Sequence, residues 1–293
     1  MFFYLWKWRI NKMFNFRPKY NYKILKICNN TNYKTAYMIV ENEISKKYFA
    51  KAYNNIFYSN SEHYILDQHL IFNVLKSRYF PRMKEIICNE QQYIIIMEHL
   101  SGMSMRFLSS FYLRNSINTD GYFKQLIKAL VNLNDLGMAY NHLTIDCMLT
   151  DNWGDLRMVG LSNIYKRTYD WWPQKIFCPP IQKKDSFMAP EMLLNRHYDG
   201  MPANIWSCGI IYIFLFLGDC PWKIADLSDI NYSKYINGRC LNTLDIPYKF
   251  PNRIISQLLK ILDPSPKTRM TLIELKNSVW YNSIYLFEHE VQF

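Results

Sequence analysis

The chain has 293 residues, 49% of them hydrophobic, enough to build a substantial core in one two-part domain. Basic residues outnumber acidic ones 35 to 24, a net charge of +11, and seven cysteines with no C-x-x-C pair argue against a disulfide framework or a zinc site. The longest apolar run, Ile205 to Leu217, is shorter than the ~20 residues of a membrane span, and the opening MFFYLW meets Lys7 too early for a secretory signal, so an intracellular protein of nucleus or cytoplasm is expected.

In chain order, residues 1–20 form a basic, aromatic N-terminal extension. Eleven Lys/Arg against Glu41 and Glu43 in residues 1–51 suit an acidic partner or a membrane surface, and equally a Lys-, Asn- and Tyr-rich compositional bias. No specific nucleic-acid partner is expected. Tyr22–Ile27, Thr35–Val40 and Lys47–Tyr53 alternate as strands do, and Ile86–Cys88 and Tyr93–Met97 add two more. Glu62 to Ser77 has helical spacing, with Tyr64, Leu66, Leu70, Val74 and Leu75 on one side. Phe123 to Leu136 is a helix stopped by Gly137, and further helices are predicted at Pro190–Asn195, Ala203–Leu217, Ile254–Leu262 and Thr271–Asn277. Strands first and helices later define an α+β class.

Several motifs sit on this frame. Residues 137–163 read GMAYNHLTIDCMLTDNWGDLRMVGLSN. Phe49-Ala50-Lys51 ends a strand, Glu98-His99-Leu100 follows another, Ala189-Pro190-Glu191 precedes a helix, and Trp206-Ser207-Cys208-Gly209 lies within one. Pro264 to Arg269 and Trp280 close the series. In this order the motifs resemble the protein kinase superfamily from about Tyr22 to Tyr281, and WSCGIIYIFLFLGDCPW at 206–222 is similar to the checkpoint kinases of the calmodulin-dependent and AMP-activated branch. The resemblance implies a two-lobed fold. It has a five-stranded N-lobe with one helix over 21–97, a hinge at 98–102, a helical C-lobe over 103–285 and a short tail at 286–293. It also implies an ion pair between Glu191 and Arg269.

The groups that carry the family's chemistry are altered. Phosphoryl transfer depends on positioning and charge neutralisation. The first glycine of the chain is Gly102, so the turn Cys28 to Lys34 has none of the glycines that let backbone approach phosphate. Lys51 matches the phosphate-holding lysine, yet Ile71 stands at its glutamate partner's position. Asp67, about 6 Å away along the helix, and Glu62 are the remaining carboxylates, so Lys51 is either a free cation or part of a changed pair. Tyr140-Asn141-His142 replaces His-Arg-Asp, which puts His142 at the catalytic aspartate and removes the arginine of the phosphorylation switch. An imidazole can accept a proton, but His142 is read as inert. Thr144 replaces the loop lysine, and Cys147 replaces the asparagine that binds magnesium, an ion that wants oxygen. The step from Val159 to Gly160 reads as a deletion of the Asp and Phe of D-F-G. Asp151 and Asp155 are assigned to the turn between them.

What remains is a remnant nucleotide pocket: Ala36 and Ala50 as its small floor, Met148 as its ceiling, the hinge at Glu98 and Leu100, and Lys51. It is expected to take ATP weakly and without metal, or not at all. The expectation is a catalytically inactive homologue that binds protein partners. The alternative is an active serine/threonine kinase with relocated acids, in cell-cycle or DNA-damage signalling.

Overall fold

The computed structural model describes residues 22–30, 34–42, 45–54, 71, 74–88, 92–111, 117–166, 175–238, 241 and 250–285. The N-terminal extension at 1–20, residues 31–33 of the glycine-free turn, Glu62, Asp67 and residues 167–174 lie outside them. The chain divides into two compact units. One holds residues 1–76 and 81–101, and the other holds 77–80 and 102–293. The expected α+β class is observed, but Ser77–Phe80, expected in the N-lobe, belongs with the second unit.

The first unit is one antiparallel sheet, β1 (Tyr22–Asn30), β2 (Lys34–Glu41), β3 (Lys47–Asn54), β4 (Met83–Cys88) and β5 (Gln92–Glu98), ordered β1-β2-β3-β5-β4. Period-two alternation gives it two faces. Register pairs Tyr37 with Ala50 and Ala50 with Ile96, so these share one face. Ile39, Tyr48, Ala50 and Ile96 are buried together there. The other face carries Ala36, Met38, Phe49, Lys51, Ile95 and Met97. Ile71 and Leu75 are buried, whereas Val74, expected on the same side, is exposed. The sheet's outer corner is pinned by Tyr22 donating to Glu85 and by Lys84 pairing with Glu41.

The second unit is mainly helical: α1 (Met105–Phe111), α2 (Ile117–Asp135), α3 (Gly200–Leu217), α4 (Ile230–Gly238), α5 (Asn252–Ile261), α6 (Leu272–Asn277) and α7 (Val279–Ser283). Its short strands are β6 (Met138–Tyr140), β7 (Met148–Thr150), β8 (Leu156–Met158), β9 (Ile164–Lys166), β10 (Phe177–Cys178) and β11 (Tyr198–Asp199), paired as β6–β9, β7–β8 and β10–β11. The helix α3 is apolar on all sides and 83% buried, which identifies it as a core helix. Asp199 caps its start by accepting the Met201 N–H. Pro190–Leu194, predicted as α-helix, is 3-10 instead, and Asn195 ends it in the left-handed conformation.

Two polar anchors fix the frame of the second unit. Arg269 is 3% exposed, and its guanidinium donates to both Glu191 oxygens at 2.6 and 2.9 Å. It also donates to the carbonyls of Asp263, Pro202 and Pro264, which realises the implied pair with its hydrogen bonds satisfied. The second anchor is Ser77–Phe80. Arg78 pairs with Asp155 at 2.6 Å, Ser77 Oγ donates to Asn132, Arg157 donates to the Phe80 carbonyl, and Met158 N–H donates to the Tyr79 carbonyl. Asp155 thus closes the turn through its backbone, while its side chain is a buried ion-pair partner. The turn is served by Asp151, whose Oδ1 accepts the N–H groups of Trp153 and Asp155.

Candidate functional site

The altered motif folds as a loop held by two hairpins. Buried β6 leads into Asn141 and His142, a 3-10 turn spans Ile145–Cys147, and β7 and β8 form a regular ladder. The chain then passes Gly160, makes a second 3-10 turn at Leu161–Asn163 and returns as β9 along β6. Asn204 locks the start of the loop. Its Oδ1 accepts the Tyr140 N–H at 2.9 Å and its Nδ2 donates to the Tyr140 carbonyl at 2.7 Å. In the D-x-W-S-x-G motif that residues 204–209 resemble, Asn204 stands in place of an aspartate, which when ionised could only accept, so the replacement suits a two-sided grip. Tyr140 OH donates to the Val159 carbonyl at 3.2 Å, and burial pushes this phenol well above its usual range.

Each carboxylate of residues 141–163 has a structural partner. Asp146 takes a two-pronged bond from Arg106 at 2.7 and 2.8 Å, which holds its carboxyl below the usual range. Asp151 makes the turn, and Asp155 pairs with Arg78. Cys147 lies near the Thr144 hydroxyl and the His142 carbonyl. Gly160 adopts the left-handed conformation at φ +79°. The β7–β8 ladder pairs Met148 with Met158, Leu149 with Arg157 and Thr150 with Leu156 without a bulge. Read through it without a gap, the motif's Asp-Phe-Gly falls on Gly160-Leu161-Ser162. On that reading three residues are substituted, with Leu161 buried in the place of the Phe; on the expected reading two are deleted after Val159, beyond the end of the ladder. Neither alignment puts an oxygen ligand at Cys147 or Gly160, so these residues do not fit a resident magnesium ion.

The expected pocket residues do not all meet. Ala36 shares its sheet face with Lys51, but Ala50 points to the opposite face, into the cluster with Ile39 and Tyr48. The side chain two residues before Lys51 is Phe49, and Met38 stands opposite it. The face that carries Lys51 therefore has bulky residues where a small floor was expected. Counting back by two from Lys51, as a strand requires, would have found Phe49. Lys51 Nζ is 6.0 Å from the Phe49 ring centroid, and the lysine is not free. Glu98 ends β5, its N–H donating to the Arg82 carbonyl, and Leu100 follows it half-buried. In the second unit Met148 is fully enclosed and has no surface to offer a ligand, while Leu149 beside it is half-buried. Gly102, at the start of that unit, lies so close to the chain that a Cβ would sit 1.9 Å from the Thr150 carbonyl oxygen.

Sequence reasoning missed one partner at the centre of the loop. His142 Nε2 lies 2.7 Å from Asp185 Oδ2, at ion-pair distance for a protonated imidazole but off the line of a hydrogen bond. Beside it, Tyr198 OH reaches the carbonyl and the side-chain oxygen of Asn141, the latter at 2.6 Å.

With this geometry in view, the family is plain. The protein kinase domain family matches residues 24–281, and the chain belongs to it. The chain is similar to CBL-interacting protein kinase 24 of Oryza sativa subsp. japonica, 28% identical over 228 residues, 76% of this chain and 48% of the relative. It is also similar to CBL-interacting serine/threonine-protein kinase 1 of Arabidopsis thaliana, 28% identical over 219 residues, 73% of this chain and 47% of the relative. A third relative, CBL-interacting protein kinase 19 of Oryza sativa subsp. japonica, is 30% identical over 204 residues, 68% of this chain and 38% of the relative. The chain thus spans about half the length of these curated relatives, or less.

Proposed function

We propose that this kinase-family chain is catalytically inactive and acts by binding protein partners. The observation that carries the reading is the loop at 140–163, where the three aspartates are committed to Arg106, Arg78 and a turn. Cys147 and Gly160 stand where oxygen ligands are needed. The bulky Phe49 and Met38 on the Lys51 face add to it, and support ATP binding that is weak and indifferent to magnesium, or absent. Binding protein partners is the role this reading leaves to the fold, and an acidic partner or membrane surface for residues 1–20 is suggested by their basic composition alone. The checkpoint-like placement rests on the sequence of residues 206–222 and 264–282 and the tyrosine-rich segment between them.

A second reading, an active serine/threonine kinase with relocated groups, draws support from the relatives, which are named as kinases, and from the carboxylate beside His142. A phosphoryl-transfer assay with a generic protein substrate and magnesium or manganese separates the two. The inactive reading expects no transfer. Turnover that disappears in His142→Ala would overturn it and make His142 the general base.

A further inference from the structure

Four observations meet where the end of the stretch that the kinase resemblance makes the activation segment, residues 163–188, touches the catalytic loop at 140–163. Asp185 uses both carboxylate oxygens. Oδ1 accepts the Phe187 N–H at 2.9 Å, which shapes its own turn, and Oδ2 faces His142 at 2.7 Å. The facing side chains of His142 and Asp185 are 22% and 30% exposed, so solvent screens the contact only in part. One residue earlier, Asn141 is held by Tyr198 OH from β11. Asn141 stands where the family's phosphate-sensing arginine is expected, and His142 where the substrate-facing aspartate is expected.

We infer that His142–Asp185, with Asn141–Tyr198 beside it, is a built-in clasp that holds the end of the activation segment on the catalytic loop without any phosphate. The inference rests on the reading that His142 occupies the substrate-facing position. The clasp covers the imidazole nitrogen that would otherwise face a substrate hydroxyl. It also makes the two positions interdependent. An aspartate at 142 would bring a second carboxylate to within about 4–6 Å of Asp185, where like charges disfavour ionisation. The surrounding charges are Arg106, which acts on Asp185 through space, and Lys183 and Lys184 next to it in the chain.

The test is hydrogen exchange at the Phe187 and Met188 amides in the full chain, with circular dichroism to verify folding. The variants are His142→Ala, His142→Asp, Asp185→Ser and the His142→Asp/Asp185→Ser pair. Serine keeps an acceptor for the Phe187 N–H but is too short to reach His142. Exchange should rise about fivefold in His142→Ala and in Asp185→Ser, and further in His142→Asp. The double variant should fall back to the level of Asp185→Ser. Exchange within about twofold of the unaltered chain in both His142 variants, or an excess in His142→Asp that the second substitution does not relieve, overturns the clasp. No readout involves ATP, so failure here is separate from failure in the transfer assay.

Discussion

The Glu191–Arg269 anchor and the loop at 140–163 belong to the same unit and differ in how far they keep the family's residue types. At the anchor, the chain keeps the family's residue types and geometry: a guanidinium with no exposed side-chain surface, bonded to a carboxylate and three carbonyls. In the loop it keeps only the backbone path, with two hairpins and two 3-10 turns. The polar groups there hold the loop to its own surroundings, through Asn204 to Tyr140, Asp146 to Arg106 and Asp155 to Arg78. The described polar groups of this loop are thus engaged in holding its path, which is what the proposed inactive reading draws on.

The contrast can be broken first at the anchor. Arg269→Ala leaves the Glu191 carboxylate, only 11% exposed, without its partner, and unfolding midpoints should report a loss of up to about 3–5 kcal/mol. Glu191→Ala should do comparable damage, and the double variant should lose less than the sum. Small additive losses would mean that the pair contributes little. Asn204→Asp, which restores the family residue, should cost about 1–3 kcal/mol, because the Tyr140 carbonyl loses its donor and an acid is buried. A neutral or stabilising effect would show that the loop's grip is not two-sided. The smallest effect belongs to Asp146. Its carboxyl is depressed by Arg106, so its contribution is present above the ordinary carboxylate range and is lost as pH falls through the folded-state value. Both partners are well exposed, so Asp146→Asn should flatten the acid limb of the stability–pH curve by less than about 1 kcal/mol.

Local patterns in the sequence gave a good account of the sheet and the long helices. Alternation located each described strand of the first unit within a few residues. The helix α2 begins at Ile117, not Phe123, because tertiary packing overrides the weak propensity of Asn118 and Gly121. The Glu191–Arg269 pair was legible through motif order. Less legible were contacts between residues distant in sequence, such as Arg78–Asp155, separated by 77 positions, and His142–Asp185. Nothing local marks either partner. The Ala50 assignment failed for a different reason: proximity to Lys51 was weighed above the side-chain period of a strand, which puts Phe49 on the lysine's face.

The central claim, a kinase-family fold without the groups that hold a metal nucleotide, is tested most directly by thermal unfolding with ATP, with and without magnesium. Ligand that binds only the folded state raises the midpoint, by about 2–4 °C per kcal/mol for a domain of this size. The account predicts midpoints that magnesium does not change by more than about 1 °C at any ATP concentration. A rise of several degrees that requires both ATP and magnesium would contradict it, since an oxygen ligand would then have to stand where Cys147 and Gly160 do.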